Sequence, residues 1–392
     1  MEKVIYFDNN ATTKVAPEVF EAMTPYLTEY YGNPSSIHNF GGQLADKVTE
    51  ARENLAALLG ADASNMIFTS CGTESDNSAI FSALLNCPKR DKIVVSTVEH
   101  PAVLSLAKEL ERRNYRVSRI PVKGNGALDM AAAEELIDDE TAIVSVMWAN
   151  NETGNIYPVE KLAALAHKKG ALFHTDAVQA VGKVPINLKE TEIDFLSLSG
   201  HKLHAPKGIG ALYVRRGVRF RPYLIGGHQE SGRRAGTENL PSIVGLGVAA
   251  KLAAGNLAVE QKFVSSLRDH LEGSILKNIP GTRVNGDISS RLPNTTNISF
   301  ECIEGESILM LMDMYGIAAS SGSACTTGSL EPSHVLRAMG VPYMAAHGAI
   351  RFSFSRYNTM EEVDFVLEKL PPIIQRLREI SPYWQENKIA KM

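Results

Sequence analysis

An α/β fold with a large domain built on a mostly parallel central sheet is predicted for residues 15–260, joined to a smaller α+β domain formed by residues 1–14 and 261–392. Two observations carry this. Apolar runs of strand length alternate with segments of helical period, which is the pattern of parallel sheets crossed over by helices. A chain of 392 residues is also long enough for two or three domains with large cores.

In order, MIFTS precedes DNSAIFSALL, KIVVST precedes AVLSLAKELERR, AIVSVMW precedes VEKLAALAHKKG, and ALFHTDA leads to FLSLSG and IGALYV. The helical stretches SIVGLGVAAKLAAG and EQKFVSSLRDHLEGSIL then read as a connector leading away from the first domain. Beyond it, the strand-like TRVNGD, TTNISFE and AIRFSFSRY are separated by the helical GESILMLMDMYG and MEEVDFVLEKLPPIIQRLREI, an α+β pattern.

Composition narrows the function classes. Forty Lys and Arg against 44 Asp and Glu give a net charge of −4 without a long run of one sign, so no nucleic-acid partner is expected. The opening MEKVIYFDNN lacks the apolar core of an export signal. IVSVMWA is too short to cross a bilayer and SIVGLGVAAKLAAG is interrupted by Lys251, so no membrane association is expected. Cysteines 71, 87, 302 and 325 form no CxxC pair, which disfavours a disulfide framework and fits a reducing cytoplasm.

Ligands of parallel sheets bind beyond the carboxyl ends of the strands, and several reactive residues fall there. Gly72 and Thr73 in TSCGTESDN lie where a strand turns into a helix, offering free amides to a phosphate or simply capping the helix. Asp176 ends the apolar strand FHTDA, as an N-cap or as the partner of a protonated ring nitrogen. Lys202 sits in a polar, glycine-bounded break near Ser199, His201 and His204, as a solvated loop residue or, partly desolvated, as an amine nucleophile.

His100 in TVEHPAV satisfies local backbone groups or stacks on a ring and shuttles protons. Arg351 in the alternating run AIRFSFSRY is a solvated strand residue or a bidentate clamp for a carboxylate. Cys325 in SSGSACTTGS has small hydroxylated neighbours that offer it no apolar core, so an accessible thiol is the stronger reading, whereas Cys302 and Cys87 read as structural. A phosphate cradle, a strand-end Asp and a Lys in one sheet together suggest pyridoxal phosphate.

With YFDNNATT, YGNPSS, TSCGTESD, VEHPAVLSL, VMWANNETG, FHTDAVQAVGK, SGHKLHAPKG, GRRAGTEN, LPNTTNISF, SSGSACTTGSLEPSHVLRAMG and IRFSFSRY in this order, the chain resembles the pyridoxal-phosphate-dependent cysteine desulfurases of the class V aminotransferase group, most closely their nitrogen-fixation branch. The resemblance implies the type I fold of pyridoxal-phosphate transferases. It implies that Lys202 holds the cofactor covalently, that Asp176 pairs with its ring nitrogen, that His100 stacks on the ring, and that Asn151 and Gln179 contact ring substituents. Gly72, Thr73, Ser199 and His201 then bind the phosphate with Thr237 of a second subunit, in a homodimer.

The substrate implied is L-cysteine, its carboxylate held by Arg351 and Asn155. Cys325 takes the sulfur as a persulfide, leaving alanine. An iron–sulfur scaffold protein accepts that sulfur, Cys325 holding cluster iron in passing. Thr327 stands where relatives often carry Ser, and the chain ends at WQENKIAKM without the longer docking tail of housekeeping relatives, which favours a role in nitrogenase cluster assembly. A housekeeping desulfurase, a selenocysteine lyase, an aminotransferase and a non-catalytic sulfur carrier are the alternatives. A carrier has no use for the Lys202, Asp176 and Thr73 set.

Overall fold

The computed structural model describes residues 4–321 and 332–384. Its strands, in chain order, are β1 (Ile5–Tyr6), β2 (Met66–Thr69), β3 (Lys92–Ser96), β4 (Arg116–Ile120), β5 (Thr141–Ser145), β6 (Leu172–Asp176), β7 (Phe195–Ser199), β8 (Gly210–Val214), β9 (Thr282–Val284), β10 (Thr295–Phe300), β11 (Ile317–Ala318) and β12 (Ala349–Ser353). Seven of them form one sheet in the order β2-β8-β7-β6-β5-β3-β4. The pairs from β4 across to β7 are parallel, while β8 runs antiparallel to both β7 and β2.

Both faces of this sheet are covered, as a parallel sheet requires, and period-2 alternation divides each strand between two cores. Val94, Leu196, Ala211 and Tyr213 pack on the face that carries the helices Ala45–Leu59 and Val159–Lys168. Ile93, Val95, Phe195, Leu212 and Val214 face the helices Gly72–Asn86 and Pro101–Arg112. One strand of this sheet, β4, escapes the sequence reading, as do the two-residue β1 and β11 outside it. RVSRI is an edge strand whose Arg116 pairs with Glu140 and Asp91 at the surface, so its charges mask the apolar signal and also blunt a free edge.

The expected connector is a single helix, Leu240–Asn278, begun by Asn239, whose side chain accepts the Ser242 N–H. Leu246, Ala249, Ala250 and Ala253 in its first half join the large core. Val264, Leu267, Leu271 and Ile275 in its second half join a separate core under β10 and β12. By length and composition this helix is apolar enough to cross a membrane, contrary to the expectation that Lys251 interrupts it. One lysine does not break a helix of 39 residues, and the apolar side chains named above are spent on two protein cores.

The second core supports a three-stranded antiparallel sheet, β12-β10-β9, and a two-stranded parallel one, β1-β11. Immediately after β1, Asp8 bridges in parallel to Ser353, the last residue of β12. This lays residues 8–10 against the end of β12, where the Asn9 N–H donates to the Ser353 carbonyl and the Asn10 N–H to its hydroxyl. Their position matters for the site.

Candidate active site

A cavity of about 390 Å³ opens beyond the carboxyl ends of the parallel strands. Strand β6 delivers Asp176 to it and β7 delivers Ser199, and the turn that follows β7 adds His201 and Lys202. The helix beginning at Gly72 presents its first turn, with Thr73. His100 and Asn151 come from the segments after β3 and β5, Gln179 from the one after β6, and Arg351 from β12 of the second sheet. Ten residues singled out in the sequence thus line one space.

Three are placed otherwise. Asn155, expected to hold substrate, is buried away from the cavity: its amide donates to the Asn125 carbonyl at 2.9 Å and its oxygen accepts the Asp287 N–H at 2.9 Å. Both ends of the side chain are spent on backbone, because Gly154, at φ +80°, turns the chain after Asn151 and carries Asn155 out of the site. Thr237 is exposed and outside the cavity of its own chain. Cys325 lies outside the described residues.

The Lys202 amine donates to the carbonyls of Asn10 and Ala11 at 2.5 and 2.6 Å. Gln179 donates to the same Asn10 carbonyl at 2.8 Å. Arg351, nearly fully buried, donates to the Asn151 carbonyl at 2.9 Å and pairs with Asp8 at 2.5 Å. Asp8, Asn10 and Ala11 are functional neighbours that sequence reasoning missed. Two of them act through main-chain oxygens, which leave no side-chain signature.

Electrostatics set the protonation states. Burial pushes the Asp176 carboxyl up to about 6, with buried Asp76 adding repulsion and His100 opposing it, while its Oδ1 accepts the Val178 N–H at 2.9 Å. Burial also lowers His100, which Asp176 opposes and Lys202 reinforces. The His100 Nδ1 accepts the Ala102 N–H at 3.1 Å, so the neutral ring carries its proton on Nε2. Burial and the nearby charges of Lys202, Lys207 and Lys183 bring His201 down to about 4; its Nδ1 lies 3.1 Å from the Thr12 hydroxyl.

This donor set fits pyridoxal phosphate. The 15-residue helix Gly72–Asn86 has no side-chain cap from Cys71, so its first amides and its dipole are available to a phosphate. A Cβ on Gly72 would fall 2.7 Å from Val178 Cγ2, so the cradle is shaped for glycine. Across the cavity stand a buried carboxylate suited to a protonated ring nitrogen and an amine suited to an aldehyde. A Gly72→Ala variant should displace Val178 and with it the amide that holds Asp176. We expect cofactor affinity to fall about tenfold, near 1.4 kcal/mol, in a fluorescence titration of cofactor-free protein; an unchanged affinity would contradict the cradle.

A match to the class V aminotransferase family spans residues 5–366. The cysteine desulfurase NifS of Azotobacter vinelandii is 58% identical over 384 residues, 98% of this chain and 96% of that protein. A solved NifS-like protein superposes with a TM-score of 0.90 at 40% identity, covering 96% of this chain and all of the other. SspA, solved in complex with cysteine, superposes with a TM-score of 0.79 at 33% identity, covering 91% of this chain and all of that one. With its fold, its cavity and this end-to-end similarity in agreement, the chain belongs to the class V aminotransferases, among relatives that are cysteine desulfurases.

Proposed function

We propose that the protein is a cysteine desulfurase that removes sulfur from L-cysteine, leaves L-alanine and carries the sulfur as a persulfide on Cys325 for iron–sulfur cluster assembly, that of nitrogenase in particular. The observation that carries this reading is the convergence of Lys202, Asp176 and Arg351 on one cavity beside an uncapped helix N-terminus. The names of the relatives supply the substrate.

Lys202 would hold the pyridoxal phosphate covalently, Asp176 would pair with its ring nitrogen, and Gly72, Thr73, Ser199 and His201 would take the phosphate. When bound, the cofactor supplies an electron sink that weakens the bond between substrate Cβ and sulfur. Arg351 would offer its guanidinium to the substrate carboxylate, and the buried pairing with Asp8 supports that role by fixing its plane. The Lys202 amine, docked on two carbonyls, would move the substrate's α-proton. His100, neutral with its proton on Nε2, would offer that N–H as a hydrogen-bond donor on the cavity side.

The sulfur step balances without an external oxidant. The substrate C–S bond breaks, an S–S bond to Cys325 forms, and the carbon gains the proton that alanine needs. Cys325 and Arg351 belong to the proposed small domain, residues 1–14 and 261–392, and Lys202 to the large one, residues 15–260. The exposure of Thr237 accords with its serving a second subunit's phosphate in a homodimer, and a scaffold protein in the cytoplasm completes the proposal.

The test is incubation with L-cysteine and reductant, counting alanine and sulfide. Equal amounts are expected, with a persulfide on Cys325 by mass spectrometry. Cys325→Ala should keep the cofactor and lose sulfide release by about 10²-fold or more. Full release from that variant would overturn the nucleophile assignment.

A further inference from the structure

Behind the Lys202 wall lies a second, much smaller cavity of about 30 Å³, room for roughly one water, which shares Lys202 with the main one and is also lined by Lys183. Lys183 is half-buried, with its ammonium end enclosed. That end donates to Gln179 Oε1 at 2.6 Å and to Asn10 Oδ1 at 3.3 Å. Gln179 in turn donates to the Asn10 carbonyl, the same oxygen that receives the Lys202 amine. Two lysines therefore grip the two ends of one asparagine.

We propose that Lys183 is a positioning residue for Lys202, holding Asn10 and Gln179 so that the Asn10 and Ala11 carbonyls dock the Lys202 amine in line for proton transfer. The proposal rests on the desulfurase reading and deepens it. A backbone carbonyl cannot by itself fix where a flexible four-carbon amine points. Here its residue is tied on both sides: the Asn10 N–H donates to Ser353 Oγ at 2.9 Å, and its Nδ2 to Thr295 Oγ1 at 2.9 Å. Lys183 closes the remaining acceptor, Oδ1, which Asn294 also reaches at 3.2 Å.

Lys183 also acts through charge. The groups around it are Lys202 and Arg351, which repel its ammonium, Glu260, which attracts it, His201, which feels its charge, and Arg356 and His204 across the small cavity. Glu260 is shared with Arg356 at 3.6 Å, so its attraction is divided. Burial first, then the two cations, bring Lys183 down to about 7. The repulsion is mutual, so a protonated Lys183 disfavours a positive charge at the Lys202 nitrogen.

The test compares wild type, Lys183→Met and Lys183→Arg as cofactor-loaded full-length proteins, with rates referred to bound cofactor. Lys183→Met keeps the volume and removes both donors and charge: kcat for alanine formation should fall about 10–100-fold with KM changed less than about threefold. Lys183→Arg keeps donors and charge and should recover most of the rate. Its pH–rate profile should lack the limb near 7, since arginine does not titrate there.

A second readout does not depend on turnover. The pH midpoint of the holoprotein's visible absorption band should rise by about half a unit or more in Lys183→Met, because a repelling charge is gone. An unchanged kcat and an unmoved midpoint would overturn the positioning role. Should Lys183→Met not fold, an Arg variant with the wild-type pH profile overturns it equally. Absence of alanine from the wild type would sink the desulfurase reading, while the spectral midpoint would still decide the role of Lys183.

Discussion

A Lys202→Ala variant is expected to purify without the visible absorbance of the wild type and to lose cysteine-dependent alanine formation by about 10³-fold or more, since it removes at once the proposed anchor for the cofactor and the proposed base for the substrate proton. The structure adds detail to that expectation. The Asn10 and Ala11 carbonyls each lose a charged donor; Asn10 keeps the Gln179 amide, while the partly buried Ala11 carbonyl loses its Lys202 partner, a loss of about 1 kcal/mol. His201, depressed to about 4 by burial and by the charge of Lys202, should titrate higher in the variant. Histidine NMR titration checks the second effect and a spectrophotometer the first. Retained colour would refute the assignment of Lys202.

Asp176→Asn should lower activity by about 10²-fold or more and yet stabilise the cofactor-free protein. The sign follows from the direction of the shift. A carboxyl raised from 3.8 to about 6 by burial favours the folded state only while protonated, and that contribution is lost as pH rises through 6. Asparagine has no such loss and can still accept the Val178 N–H through its oxygen. The variant's advantage in urea unfolding should grow between pH 4 and 6 and level off above, at no more than about 3 kcal/mol. An advantage that shrank with rising pH would mean that a cation compensates Asp176 in the empty site.

Much of this site can be read in the sequence because parallel strands end where ligands bind. Asp176 and Ser199 each close an apolar run, and Gly72 opens a helix straight after another, so the pattern puts them at strand ends while the resemblance supplies their roles. The rest depends on contacts that no local pattern encodes. Asn10 and Ala11 serve through carbonyls, and Asp8 meets Arg351 across 343 positions of chain. Asn155 misleads because it lies four residues from Asn151 across a tight glycine turn, which reverses its direction. Strand β4 hides behind surface arginines, and Lys183 looks like an ordinary lysine after a glycine until its amine is seen turned inward.

Laying residues 8–10 against β12 has a consequence for how the protein comes into being. A ribosome delivers Asp8 among the first residues and Arg351 among the last, so a growing chain holds Lys202 and Asp176 long before the strand that completes their pocket exists. Synthesis must run almost to its end before an enclosed site can capture a reactive aldehyde. A translation arrest anywhere upstream of residue 351 therefore leaves the pocket without the Arg351 that lines it.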